Sequence, residues 1–167
     1  MIPEKDEKIL RMVGRVADSM GLDCYAVGGY VRDLFLSRPS KDIDFVTVGS
    51  GIELAQAVTS ELGHGAHLAV FRNFGTAQVK YHDTELEFVG ARRESYSRNS
   101  RKPIVEDGTL DDDLSRRDFT VNALAMRVNK NGFGGIIDKF GGLIDMERQT
   151  LRTPLDLTLI HISEPTR

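Results

Sequence analysis

At Asp42-Ile43-Asp44-Phe45-Val46-Thr47-Val48 the chain alternates polar with apolar residues and then turns almost wholly apolar. Ile43 to Val48 therefore reads as a buried strand. Successive side chains of a strand point to opposite faces, so Asp42 and Asp44 share one face and Ile43 takes the other. Any fold built on this strand has to accept two carboxylates side by side where the strand begins.

The flanking segments supply the partners. Apolar positions at Ile9, Leu10, Val13, Val16, Ala17 and Met20 recur at helical spacing, which predicts an amphipathic helix over Glu4 to Met20, ended by Gly21. Asp23 to Val27 reads as a short strand, Gly28-Gly29 as a turn into a helix over Tyr30 to Leu36, and Ile52 to Leu62 as another helix. Leu68 to Phe71, Thr76 to Tyr81 and Glu85 to Val89 read as a meander, with His82-Asp83-Thr84 as a hairpin turn. Arg92 to Lys102 carries five basic residues and one acid, and Glu106 to Asp113 carries five acids and no base; few positions are apolar, so a mobile loop is expected over Arg92 to Asp113. A helix is expected from Asp118 to Met126, capped by Asp118. A turn is expected at Asn129 to Gly135 and a backbone break at Phe140-Gly141-Gly142. The fold class is α/β, in the α+β sense of a mixed sheet, because strands and helices do not alternate strictly as in a plain Rossmann fold.

Length and composition bound the rest. The chain has 167 residues, enough for one domain and a stub of a second. With 40% hydrophobic residues it can build a core. The net charge of −3 does not advertise nucleic-acid binding, although local patches decide such contacts. The lone cysteine, Cys24, excludes an intramolecular disulfide and a thiolate zinc cluster, and a reducing, cytoplasmic setting is the simple expectation. No apolar run approaches a membrane span. His64, His67, His82 and His161 lack metal-ligand spacing.

Four constellations can carry chemistry. Gly28-Gly29-Tyr30-Val31-Arg32-Asp33 follows a strand and opens a helix. Glycines let a ligand approach the backbone, free helix-start N–H groups favour an anion, and Arg32 offers a fork to phosphate. A tight turn with a surface Arg-Asp pair suits the same residues. Asp42 and Asp44 cannot both stay ionised cheaply without a neutralising partner, and Mg²⁺ takes such carboxylates together with substrate phosphates; a solvated strand end is the plainer alternative. Glu87 shares a strand face with Glu85, opposite Leu86 and Phe88, and could complete a three-acid site. Arg116-Arg117-Asp118 directly precedes the expected helix, where an arginine could reach a triphosphate or a ribose hydroxyl, or could equally be an ordinary surface residue.

Taken in order, Gly28-Gly29-x-Val31-Arg32-Asp33, Lys41-Asp42-x-Asp44 and Arg116-Arg117-Asp118-Phe119-Thr120-x-Asn122-Ala123 resemble the head of the tRNA nucleotidyltransferase / bacterial poly(A) polymerase family, class II of the DNA polymerase β superfamily. Asp138 to Asp145 is similar to that family's hinge motif, and Leu151-Arg152-Thr153-Pro154 to the segment leading into its neck. The resemblance runs from about Tyr25 to Pro154 and leans toward the CCA-adding branch. It implies a polymerase β-like palm with flanking helices. It also implies CTP and ATP as substrates and a tRNA or other RNA 3′ end as acceptor, with poly(A) synthesis as the alternative within the family and a non-catalytic nucleotide- or RNA-binding fragment as one outside it. Asp42 and Asp44 would hold two Mg²⁺, with Glu87 as third carboxylate. Gly28, Gly29 and Arg32 would cradle the triphosphate, and Arg117 with Asp118 would meet the nucleotide's phosphate or ribose side.

Residues 1–150 are expected to form the head and 151–157 the start of a truncated neck. Leu159-Ile160-His161-Ile162-Ser163-Glu164-Pro165-Thr166-Arg167 departs from the family and is similar to a translated sequencing adapter, so 158–167 is expected to be a non-native tail. The family's base-reading motif is not found in this sequence, and weak activity is the expectation.

Overall fold

The computed structural model describes residues 2–96, 103–154 and 159–161. Helix α1 (Glu4–Ser19) starts after Pro3 with Glu4, Asp6 and Glu7 in its first turn, where acids suit the positive end of the helix dipole. Strand β1 (Cys24–Val27) leads through Gly28 into α2 (Gly29–Phe35), and β2 (Asp42–Thr47) into α3 (Gly51–Leu62). Ser50 caps α3 by accepting from the Glu53 N–H. Strands β3 (Ala66–Phe71), β4 (Thr76–Tyr81) and β5 (Thr84–Gly90) form the expected meander. After them come β6 (Arg92–Tyr96), β7 (Pro103–Asp107), α4 (Leu110–Ser115), a 3₁₀ turn (Thr120–Asn122), β8 (Ala125–Arg127), β9 (Ile136–Ile137), α5 (Gly142–Glu147), β10 (Thr150–Arg152) and β11 (Leu159–His161).

Seven strands make one mixed sheet in the order β3-β4-β5-β2-β1-β8-β9. Its one parallel pair is β2 with β5; the others are antiparallel. A parallel pair needs a long crossover, which α3, β3 and β4 provide. One face of the sheet presents Ala26, Ile43, Phe45, Leu86, Phe88 and Met126 to Leu10 and Val13 of α1 and Leu54 and Val58 of α3. The Phe45 and Phe88 rings stack there with centroids 5.0 Å apart. The other face is covered only in part: Val27, Val46 and Ala125 pack with Leu110 and Leu114 of α4. Cys24 lies in the first core, where burial pushes its thiol pKa up and keeps it a neutral packing residue.

Two expectations are corrected. Asp118 to Met126 is not a helix: a 3₁₀ turn is followed by β8, paired to β1. Ala123, Leu124, Ala125 and Met126 are all fully buried, which suits a strand covered on both faces and not a helix with one wet side. Thr120 and Val121 are β-branched and weak helix formers. Asp118 accordingly caps no helix. Arg92 to Asp113 is not a loop throughout. β6 and β7 pair as a separate antiparallel ribbon whose register sets Arg92 opposite Asp107 and Arg93 opposite Glu106. The acids Asp111 to Asp113 then occupy the first turn of α4, which Thr109 and Asp112 close as a capping box. Of the expected tail, 159–161 pairs with β10 as β11, and the remainder lies outside the described residues.

The start of β1 and the end of β8 are tied to α1 by one buried amide. Asn129, 2% exposed, donates from Nδ2 to Asp18 Oδ1 and to the Leu22 carbonyl, each at 2.8 Å, and its Oδ1 accepts from the Cys24 N–H at 2.8 Å. Asn129→Ala leaves a buried backbone donor unpaired and is expected to cost about 1–3 kcal/mol, read as a lower denaturant midpoint with an unchanged slope.

Candidate nucleotide and metal site

The parallel register of β2 and β5 sets Asp42 opposite Glu85 and Asp44 opposite Glu87. All four carboxylates fall on the sheet face that α4 leaves uncovered. Burial is the main force raising the Asp44 pKa; Asp42 and Glu85 raise it further, while Arg117 pulls it down. Burial also raises Glu87, reinforced by Asp44, Glu85 and Asp42. Four like charges on two adjacent strands thus repel one another in a half-buried place.

The third strand brings in the glycines. Val27, the last residue of β1, is the register partner of Asp44, so Gly28 begins beside that carboxylate. Gly28 holds φ 71° and ψ −140°, a conformation open to glycine almost alone. A Cβ there would lie 3.2 Å from Arg117 Nη1 and 4.0 Å from Asp44 Oδ2, so the missing side chain makes room for the guanidinium.

Opposite the acids stands the segment after α4. A cleft of about 350 Å³ is lined by Val27, Asp44, Phe45, Glu87, Val89, Arg116, Arg117 and Asp118. Arg116 Nη2 and Arg117 Nη2 donate to the two oxygens of one fully buried carboxylate, Asp113, at 2.9 and 3.0 Å. Arg117 Nε is buried and has no hydrogen-bond partner among the described residues. Asp118 Oδ1 accepts from the Phe119 N–H at 2.8 Å and from Asn122 Nδ2 at 3.1 Å. Asn122 Oδ1 in turn accepts from Arg32 Nη1 at 2.8 Å, and Arg32 also pairs with Asp33 at 3.2 Å.

Of the residues singled out from the sequence, Asp44, Glu87, Arg117 and Asp118 therefore meet in one cleft, and Gly28 borders it through Arg117. Asp42 lies on the same sheet face, further toward solvent. Gly29 and Arg32 sit apart from the lining: the Arg32 guanidinium folds back over Gly29, 3.3 Å from where a Cβ would stand. Sequence reasoning met Glu85, Arg116, Asn122 and Asp113 within their motifs but did not choose them as site residues. The spacing Asp113-x-x-Arg116-Arg117 carried a readable signal, since i,i+3 and i,i+4 partners meet at the end of a helix.

Among the described residues no three acids, histidines or cysteines converge closely enough to hold a metal ion as they stand. The donor chemistry nevertheless suits a hard divalent cation: the candidate ligands are all carboxylate oxygens, and their mutual repulsion is what such a cation relieves.

Residues 24–152 match the poly A polymerase head domain. The chain belongs to that family. The head domain is 46% identical over 131 residues to an A-adding tRNA nucleotidyltransferase of Aquifex aeolicus (strain VF5), covering 78% of this chain and 16% of the relative. It is 39% identical over 156 residues to a CCA-adding enzyme of Streptococcus pyogenes serotype M3 (strain ATCC BAA-595 / MGAS315), covering 90% of this chain and 35% of the relative. Among solved structures, a tRNA nucleotidyltransferase complexed with a primer tRNA and an incoming ATP analog superimposes with a TM-score of 0.74 at 42% identity, over 85% of this chain and 38% of that one. The mixed sheet and its helices are thus the polymerase β-like nucleotidyltransferase fold, and the head domain spans well under half the length of the proteins it resembles.

Two outcomes follow for the head domain. Gly28→Ala adds backbone strain and crowds Arg117, so stability is expected to fall by about 2 kcal/mol, measurable as a lower melting temperature. Asp44→Asn has the opposite sign. A carboxylate whose folded pKa lies above its unfolded value favours the fold only while protonated; that contribution is complete below the unfolded pKa and is lost as pH rises through the folded one. At neutral pH in chelator the ionised Asp44 is therefore a burden, and Asp44→Asn is expected to raise stability by about 1 kcal/mol, with the gain vanishing in acid. Thermal melts across pH check both the sign and the window.

Proposed function

We propose that the chain is the catalytic head of a template-independent RNA nucleotidyltransferase. It would add CMP and AMP to the 3′ end of tRNA by in-line attack of the terminal hydroxyl on the nucleotide's α-phosphate, with pyrophosphate leaving. The observation that carries the reading is the meeting of Asp44 and Glu87 with Arg116 and Arg117 across one cleft, with Asp42 in register beside them.

In this reading Asp42 and Asp44 hold two Mg²⁺, with Glu87 as the third carboxylate. Bound there, the ions would lower the pKa of the attacking hydroxyl and neutralise charge on the leaving group. Arg117 would donate to phosphate oxygens from Nη1, which stands beside Gly28, while Nη2 stays on Asp113. Gly28 lets the triphosphate approach the backbone beneath that guanidinium, while Gly29, next to it, lies under Arg32. Asp118, fixed by the Phe119 N–H and Asn122, faces the ribose side. Arg32 acts from behind the cradle, holding Asn122 and through it Asp118. Residues 1–150 make up this head.

A second reading, addition of AMP alone, is supported by the names of several relatives, among them that of Aquifex aeolicus, which are described as A-adding. Both readings share the cleft and differ in which nucleotide is used.

Calorimetric titration with CTP and with ATP, with and without Mg²⁺, tests the site. Metal-dependent binding that Asp42→Ala/Asp44→Ala abolishes is the expected result. Binding indifferent to metal and to that double substitution would sink the two-metal assignment. Binding of ATP with none of CTP would favour the A-adding reading.

A further inference from the structure

Asp113 has no part in the reading above, yet it is the most deeply buried charge at the cleft. It sits near the end of α4, whose start is fixed by the Thr109–Asp112 capping box and whose Leu110 and Leu114 are buried in the second core. Its carboxylate is therefore placed by packing, not by the arginines it meets. Burying one carboxylate beside two guanidiniums compensates the lone negative charge and leaves an excess positive charge facing the cleft.

The consequence lies in what Arg117 does not touch. It stands close enough to Asp44 to pull that carboxyl's pKa down, and it shares a cleft with Glu87. Nonetheless, among the described residues its only ion pair is with Asp113. A mobile guanidinium facing Asp42, Asp44, Glu85 and Glu87 would be drawn onto them, since the attraction rises steeply at short range in a half-buried site. Such a collapse would occupy the carboxylates and remove the phosphate donor in one movement.

We infer that Asp113 is a positioning residue that holds Arg117 off the acidic strands and presents it to the nucleotide's phosphates. The inference rests on the reading of the cleft as a nucleotide site. Asp113 itself touches neither nucleotide nor cation; it acts through Arg117. Arg116, on the other oxygen, balances the pair and keeps the carboxylate from rotating toward a single partner.

The test is a double-mutant cycle on CTP binding in MgCl₂, using Asp113→Asn, Arg117→Gln and both together, with the wild-type chain and the Asp42→Ala/Asp44→Ala variant as references. Asp113→Asn is expected to weaken CTP binding about tenfold, the scale of one charge-assisted hydrogen bond, and to raise the Mg²⁺ concentration needed for half-saturation. In the Arg117→Gln background the same substitution is expected to change affinity little, because its target is gone. A purely structural role predicts equal losses in both backgrounds, and that result would overturn the inference while leaving the nucleotide site intact. A wild-type chain that binds CTP no better than the Asp42→Ala/Asp44→Ala variant overturns the nucleotide-site reading and this inference with it. Should Asp113→Asn fail to fold, Asp113→Glu decides. Its carboxylate, displaced by one methylene, is expected to weaken CTP binding in the wild-type background and to change it little in the Arg117→Gln background. Equal losses in both backgrounds refute the inference.

Discussion

The parallel register of β2 on β5 is the constraint from which both the core and the cleft descend. It sets Ile43 opposite Leu86 and Phe45 opposite Phe88 on one face, and Asp42 opposite Glu85 and Asp44 opposite Glu87 on the other. A slip of one residue would turn the apolar set outward and bury the acids, so the register is strongly specified. Magnitudes show why the acids stay together. Each of the four buried apolar side chains contributes about 1.5–3 kcal/mol, whereas like charges directly opposite on paired strands cost about 0.2–1 kcal/mol per pair. Hydrophobic packing on one side of the sheet thus forces an unfavourable charge arrangement on the other, and the raised pKa of Asp44 and Glu87 reflects first their burial and then that crowding of like charge.

The positive side of the cleft is assembled differently. No strand register holds Arg116 and Arg117; a short capped helix and one buried carboxylate do. Behind them a polar chain runs from Asp118 through Asn122 to Arg32 and Asp33, linking the segment after α4 to the helix that follows β1. The same junction is packed tightly where α5 arrives. A Cβ on Gly142 would stand 2.2 Å from the Thr120 carbonyl oxygen, and Thr120 Oγ1 donates to the buried Asp145. The turn that aims the arginines is therefore braced from two sides, which suits a site whose charges must stay where the sheet cannot hold them.

How much of this could be read from the chain follows from the range of the forces involved. Period and punctuation are local signals, and α1, α3, the meander and the face shared by Asp42 and Asp44 were legible from them. Pairing partners are not local: nothing near Glu85 says that it will sit opposite Asp42, because a whole crossover separates the two strands. The expected helix over Asp118 to Met126 failed for a related reason. β8 exists because β1 offers it a free edge, and the apolar run over Ala123 to Met126 looks alike for a buried strand and a buried helix. The charged stretch after Arg92 misled by composition. Opposite charges in separate runs look like loop until strand pairing sets Arg92 and Arg93 opposite Asp107 and Glu106.

The chemistry lining the cleft also limits what it can discriminate. Its polar groups are carboxylates and guanidiniums, and several are already committed: Arg116 and Arg117 to Asp113, Asp118 to the Phe119 N–H and Asn122. In the proposed reading, groups held this way would meet phosphate and ribose, which CTP and ATP share. Telling the two bases apart requires donors and acceptors matched to a base edge, because discrimination by large factors comes from leaving a buried polar group unpaired by the wrong ligand. The described lining commits none of its side chains to that task. In the proposed reading triphosphate binding and base choice are thus separable, and the sheet register that brings the acids together would serve only the first.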